Sequence, residues 1–510
     1  PMTTHQAYFG DIHNHCAIGY GHGTIDDSFQ NARMQLDFAC VTCHAWWPDL
    51  PDNEERLAAV AAYHRNGFAV TAGAWQQVQE VVAANNVPDR FVTFLGHEWH
   101  NCAVGDHNVY YRDGVGEILR AATLDEMRAT LRRLQADGVA VMLLPHHIGY
   151  RQGYRGINWA AYSAEFSPVV EIMSMHGCAE SAEAPRPYLH TMGPRNWEST
   201  YQYGLAQGHI VGVKGSTDHH SAHPGSYGHG RLGLWAEGLT RAAIWEAIQA
   251  RRTYALTGDN IRLQFALNEQ PMGSVLAATP ERAVTVDVRG GGALDYVELL
   301  HNNRVIERLS RHQLLASLDD PYADSLQIHF EVGWAERNED IDWDVTLTVT
   351  GGELQAVEPR FRGHEVVAPS AEEAASYAFS QWAQQGDQVH FRTRTWGNPT
   401  TTTPSTQGVN LTIRGDHDTV IQATVNGHAV TAPLARLLDG PLSGYLGGFL
   451  TPCYYFHRAI PAVEATAQLH FTHHSSTRHG QGAQRDWYYV RVRQTNDQWA
   501  WSSPIWVEGQ

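Results

Sequence analysis

No apolar run in this 510-residue chain approaches the roughly 18–20 residues needed to cross a bilayer. The start, Pro1-Met2-Thr3-Thr4-His5, also lacks the charged and apolar regions of a secretory signal. No membrane association is expected, and the cytoplasm is the expected compartment, with an export signal removed upstream as the alternative. Cysteine is scarce. Six in 510 residues is too few for a disulfide framework, and Cys16, Cys40, Cys43 and Cys102 fall in or beside apolar runs. Cys40 and Cys43 have redox-pair or zinc-pair spacing, but no second pair matches them, so they read as part of a buried strand. Positive charge is short as well: 36 Lys and Arg face 54 Asp and Glu, a net charge of -18. That balance excludes a broad basic surface for nucleic acid, although a local basic pocket and self-association are compatible with it.

What the first half does have is alternation. Apolar runs at residues 7–12, 38–42, 91–95, 139–144, 169–175 and 210–213 are separated by segments with helix punctuation. This is the pattern of parallel strands joined by crossover helices, an α/β arrangement. Thr123 and Glu126 predict a capping box for a helix ending near Gly138, Thr24 and Asp27 another for a helix over 25–35, and a third helix is expected over 240–251. With one more strand at 254–256, six or seven such units would close a barrel over residues 1–261. Beyond that point the pattern turns to short alternating strands such as 284–288 and 343–349, separated by Gly, Asn and Asp turns. Residues 262–510 are expected to form one or two sandwich-like, non-catalytic β domains, with the threonine-rich stretch 399–406 as an exposed loop.

Nearly every apolar run of the first half leads into a histidine or carboxylate. The series is His13 and His15; His44; His97, Glu98, His100 and His107; His146 and His147; Glu171 and His176; then Asp218, His219 and His220. In barrel enzymes the carboxyl ends of the strands converge, so residues far apart in sequence meet there. Histidine abundance is no signal in itself, since 12 of the 30 lie in the β-rich half. His5, His64, His190, His209, His223 and His229 are therefore expected to be ordinary surface or core residues. Imidazoles mixed with a few carboxylates suit zinc, manganese or iron, and the ligands outnumber what one ion needs. Two or three divalent transition-metal ions are expected, with Glu98 as the bridge. Alternation along a strand separates neighbours, so His146 is favoured over His147 as a ligand and Asp218 pairs with His220. His100 is an alternative to His107. Asp11, which precedes the first histidine pair, is expected to orient a histidine.

Five segments in this order resemble the polymerase and histidinol phosphatase (PHP) superfamily. They are Gly10-Asp11-Ile12-His13-Asn14-His15, Val41-Thr42-Cys43-His44, Gly96-His97-Glu98, Leu144-Pro145-His146-His147 and Gly215-Ser216-Thr217-Asp218-His219-His220. The wider texture is similar to a branch with a β-rich C-terminal extension. The resemblance implies a distorted (β/α)7 barrel followed by an all-β, sandwich-like region. It implies that His13, His15, His44, Glu98, His107, His146, Asp218 and His220 are metal ligands, with His22 where relatives carry Asp or His. Cys43 and His219 depart from its pattern. The activity implied is metal-dependent hydrolysis of a small-molecule phosphoester. Beside Glu98 and Asp218, the candidates for the chemistry are Arg231, brought inward by the Gly-rich stretch 225–231, and His147, His176 or His219 as proton donor. Arg151, Arg155 and Lys214 are further candidate cations. The rival readings are hydrolysis of a lactone, amide or glycoside at the same metals, and a non-catalytic metal-binding module.

Overall fold

The computed structural model describes residues 5–315, 320–337, 339–365, 376–397, 400–475 and 485–509. Residues 1–4, read above for a signal, and position 399 of the threonine-rich stretch lie outside these.

Three helices form where their caps predict. Helix Ile25–Gln35 starts from Thr24, whose hydroxyl accepts the Asp27 N–H while Asp27 takes the Thr24 N–H in return. Thr123 opens Leu124–Ala136 and Thr240 opens Arg241–Gln249, each hydroxyl accepting the N–H three residues on, from Glu126 and Ala243, without the reciprocal bond at Thr240. A 28-residue helix, Ala58–Asn85, has no side-chain cap, and its sequence offered no start signal.

The α/β assignment and the closed barrel do not hold. Strand outweighs helix, 40% against 19% of the residues, and six sheets are formed among the described residues with none closing on itself. Parallel pairs do occur: Gln6–Asp11 beside Phe38–Ala39 beside Val92–Thr93, Thr42–Trp46 beside Leu95–Trp99, and Val169–Ser174 beside Gly212–Gly215. Antiparallel strands interrupt them. His107–Tyr111 follows Leu95–Trp99 after a connection of residues 100–106, too short for the dozen or more residues a parallel crossover needs, so it returns antiparallel. It then pairs antiparallel with Val141–Pro145, and Arg231–Ala236 pairs antiparallel with Gln6–Asp11. Neither inserted strand was expected from the sequence.

One sheet of 11 strands runs across residue 261. Thr253–Leu256 pairs with Trp499–Ser502, which joins Arg485–Gln494 and Ile505–Glu508. The aromatic C-terminal strands thus extend the sheet begun by Gln6–Asp11, and Trp501 and Trp506 are buried in a core with Tyr150, Val170 and Val213. A separate sandwich packs Leu326–Trp334 and its neighbours against Asp340–Thr350 and its neighbours around Ile328, Phe330, Trp343 and Phe391. No helix of the described residues is long and apolar enough to cross a membrane, and all six cysteines are free.

Asp37 locks the first strand to the helix before it. Its N–H donates to the Phe9 carbonyl, its carboxylate accepts the Phe9 N–H at 2.8 Å, and burial pushes its pKa up to about 6 against the pull of that hydrogen bond and of Arg262. The native state therefore holds this proton in a window where the unfolded chain, near about 3.9, has released it. Stability from this group is full below about pH 4 and is lost as pH rises toward 6. Asp37→Asn keeps an acceptor for Phe9 and removes the loss. Urea midpoints should show the variant more stable than wild type by about 2–3 kcal/mol at pH 7.5, with the gap narrowing toward pH 4.5. An equal gap at both pH values would contradict it.

Candidate metal centre

Asp11 is the buried tie that builds the site. One of its oxygens accepts the N–H of His13 at 3.1 Å and of Thr217 at 3.2 Å; the other accepts the Thr217 hydroxyl and the Gly225 N–H at 2.9 Å. Burial raises its carboxyl pKa, and these donors pull it back down. Asp11 thus orients the ligand segments through their backbone, and among the described residues its hydrogen bonds come from backbone N–H groups and the Thr217 hydroxyl. The two segments then run side by side: Asp218 N–H donates to His13 O, His15 N–H to His219 O, and His22 N–H to His220 O.

Around this tie the imidazoles close on Glu98, which is 2% exposed. His13 Nε2 and His15 Nε2 stand 3.3 Å apart, and Asp218 Oδ1 lies 3.2 and 2.9 Å from them. Glu98 Oε2 is 3.5, 3.3 and 3.3 Å from His13, His15 and His44. Its Oε1 is 3.1 Å from both His146 Nε2 and His100 Nδ1. His44 Nε2 lies 3.3 Å from His220 Nε2. On the outer side, His13 Nδ1 rests 2.9 Å from Glu171, which also accepts from Lys214 Nζ at 2.5 Å. That outer carboxylate fixes the ring and leaves Nε2 free to face inward.

Within the cluster the carboxylates and imidazoles shift one another strongly. Burial alone would raise Glu98, yet His100, His146 and His44 hold its pKa well below the usual carboxylate range. Asp218 is held down likewise by His13, His15 and His176. Burial would lower His13, but Asp218 and Glu171 drive its pKa well above the usual imidazole value.

These residues fit a metal cluster. Two donors about 2.0–2.1 Å from one tetrahedral ion stand about 3.3–3.4 Å apart, which matches the His13–His15 and His44–His220 edges. Glu98 Oε2, His15 Nδ1 and His146 Nδ1 are buried without a hydrogen-bond partner. Donor groups close enough to share an ion include His13, His15 and Asp218; His15, His44 and His220; His44, Glu98 and His100; and Glu98, Asp106, His146 and His147.

The site opens into a cavity of about 410 Å³ lined by Tyr20, His22, His44, Glu98, His147, Arg155, His176, Asp218 and His220, among others. His64 and His190 also line it, contrary to their expected role as ordinary surface or core histidines. Three expected site residues stand elsewhere. His107 turns into the sheet, paired opposite Trp99 with Nδ1 bonded to Gly105 O at 2.8 Å, because the antiparallel return of its strand points it away. His219 faces the other side of its strand-like segment, its Nδ1 accepting the Ser221 N–H and its ring stacked on His229. Arg231 is buried and spent on Gly225 O, Gln35 and Asn260. Asp106 was missed: it contacts His100 at 3.1 Å, His147 at 3.4 Å and Arg155. Nothing in Gly105-Asp106-His107 marks Asp106 over the histidine beside it. Three non-glycine residues here, His147, Arg155 and Asp218, have φ of +28°, +69° and +55°, left-handed conformations that cost of order 1–3 kcal/mol each and gather at functional sites.

No family model matches the chain. It is 23% identical over 294 residues to an uncharacterized protein of Chlamydia pneumoniae, covering 50% of this chain and 46% of that protein. Shorter stretches match uncharacterized proteins of Chlamydia muridarum, 27% identical over 164 residues (29% of this chain, 26% of that protein), and Chlamydia trachomatis serovar D, 26% over 168 residues (30% and 27%). The matches thus span about half the length of the first relative and about a quarter of the other two. None of these names carries an activity.

Asp11→Ala strands backbone donors at His13, Thr217 and Gly225 in the interior. Each unsatisfied group costs about 1–3 kcal/mol, so a loss of at least about 3 kcal/mol is expected in chemical denaturation, together with reduced metal binding. A wild-type midpoint would show that the tie is dispensable.

Proposed function

We propose that the chain is a metal-dependent hydrolase, with a cluster of divalent transition-metal ions held by His13, His15, His44, Glu98, Asp218 and His220, and with His146 beside Glu98 at the edge of the cluster. The observation that carries this reading is the buried Glu98 carboxylate, with imidazole nitrogens from several strand ends at ligand spacing around it. The order of the five motifs, which resembles that of the PHP superfamily, supports the reading without the barrel. When bound, such ions supply Lewis acidity and an activated water.

The chain's own residues account for the rest of the chemistry. Glu171 and Lys214 hold the His13 ring. His176 Nε2 lies 3.1 Å from Asp218 Oδ2, and its Nδ1 lies 2.5 Å from the Tyr150 hydroxyl. His176 is therefore placed to pass a proton to a leaving group at the pocket wall. His147 lines the same wall, and its imidazole is held toward the neutral form by burial. Arg155 is the guanidinium in the pocket, while Arg151 is exposed beside Tyr154. A phosphoester is the substrate class we favour, since charge spread over phosphoryl oxygens is what a guanidinium and metals neutralise together. Tyr20, Tyr63, Met175 and Met192 give the pocket an apolar rim as well. That rim favours, as a second reading, a carbon-centred ester or lactone of an apolar alcohol.

The test is a screen of purified, metal-reconstituted protein against phosphomonoester, phosphodiester, phosphotriester, sulfate and lactone substrates. Turnover of a phosphoester is expected, lost by about 10³-fold or more in Glu98→Ala and Asp218→Ala and restored by metal only in wild type. Turnover confined to lactones would select the second reading. Full activity in both variants would remove the metal reading.

A further inference from the structure

Three of the donor groups around Glu98 can be taken as poles of the site, and one of them already holds a cation belonging to the protein. The first pole is His13, His15 and Asp218; the second is His15, His44 and His220. The third is Glu98, Asp106, His146 and His147, with His146 Nε2 3.1 Å from Glu98 and 4.0 Å from Asp106, and His147 Nε2 3.4 Å from Asp106. Arg155 enters this third pole. Its Nε donates to Asp106 Oδ2 at 2.7 Å, its Nη2 donates to the same oxygen and to His100 Nδ1 at 2.8 Å, and that Nη2 is 3.9 Å from Glu98 Oε1.

Resting on the metal-centre reading above, we infer that Arg155 stands in for a third metal ion: the site takes two ions, and the guanidinium serves as its third positive charge. The Asp106 oxygen that would face an ion is the one gripped by Arg155, and its other oxygen accepts the Asn101 N–H at 2.8 Å. A dication at this pole would lie within a few ångströms of a charge that never titrates away, in a buried site where repulsion is strong.

The guanidinium is also not free to withdraw. It lies over the Trp47 ring, 4.9 Å from the centroid. Its backbone is left-handed, its N–H donates to Cys102 O, and the next residue, Gly156, packs so tightly that an added Cβ would sit 1.6 Å from Tyr150 O. A loop built this closely sets the arginine in place, with its solvent-facing edge turned toward the 410 Å³ cavity. An anionic substrate would therefore meet a guanidinium on one side and metal ions on the other.

The experiment is metal counting on chelator-stripped protein reloaded with zinc or manganese, by plasma mass spectrometry, for wild type, Arg155→Met and Arg155→Lys. Two ions per chain are expected in wild type and in Arg155→Lys, and three in Arg155→Met. Three in wild type, or an unchanged count in Arg155→Met, would overturn the inference while leaving the metal centre intact. No bound ion in wild type would instead remove the metal reading and this inference with it. If Arg155→Met does not fold, anomalous diffraction from manganese-loaded wild-type crystals decides. Two peaks, both distant from Asp106, are expected, and a peak between Asp106 and His146 would overturn the inference.

Discussion

A carboxylate taken out of water costs several kcal/mol unless its partners make good the loss, and Glu98 is almost wholly buried. Imidazoles from the segments after Gln6–Asp11, within Thr42–Trp46 and after Val141–Pro145 crowd around it. Those rings are buried too, and some of them have a second partner: Glu171 at the outer nitrogen of His13 and Tyr20 stacked on His44. The network is coupled, because loosening one ring leaves charges of one sign facing each other in a medium that screens them poorly. The tight loops, left-handed residues and backbone ties of Asp11 can be understood as what such a cluster requires of its surroundings.

The strands behind the site are held from the opposite end of the chain. Glu180, which follows the strand carrying Glu171, accepts from Tyr489 and Trp501 and pairs with Arg491. Ser503 bonds the backbone of Val213, next to Lys214. The C-terminal strands thus buttress the strands that present the ligands, and the aromatic residues Trp499, Trp501 and Trp506 stiffen that contact by burial. The β-rich half therefore has a part in holding the site as well as a sandwich of its own.

Legibility followed locality. The caps of Ile25–Gln35, Leu124–Ala136 and Arg241–Gln249 depend on residues three apart and could be read from the chain. The antiparallel strands His107–Tyr111 and Arg231–Ala236 could not: Asp106-His107-Asn108-Val109 reads as a ligand loop, and Arg231 follows a Gly-rich stretch that looks like a flexible approach to a site. Arg231–Ala236 takes its direction from Gln6–Asp11, far away in sequence, whereas His107–Tyr111 turns back on the preceding strand through a short connection; in each, strand direction set the face each side chain took. His107, His219 and Arg231 lie outside the site, while Asp106 enters beside the returning strand, His64 from helix Ala58–Asn85 and His190 from a loop.

By itself the sequence determined the chemistry available, because spacing such as His13-Asn14-His15 puts two imidazoles on one side of an extended segment wherever that segment lies. It also determined that Glu98 and Asp218 are accompanied by histidines at each strand end. Only the tertiary structure decided that His107 points away from the site, that the strands lie in separate sheets, and that Arg155 reaches Asp106. Those choices rest on strand direction and on contacts between residues about 50 to 200 apart, which no local pattern encodes.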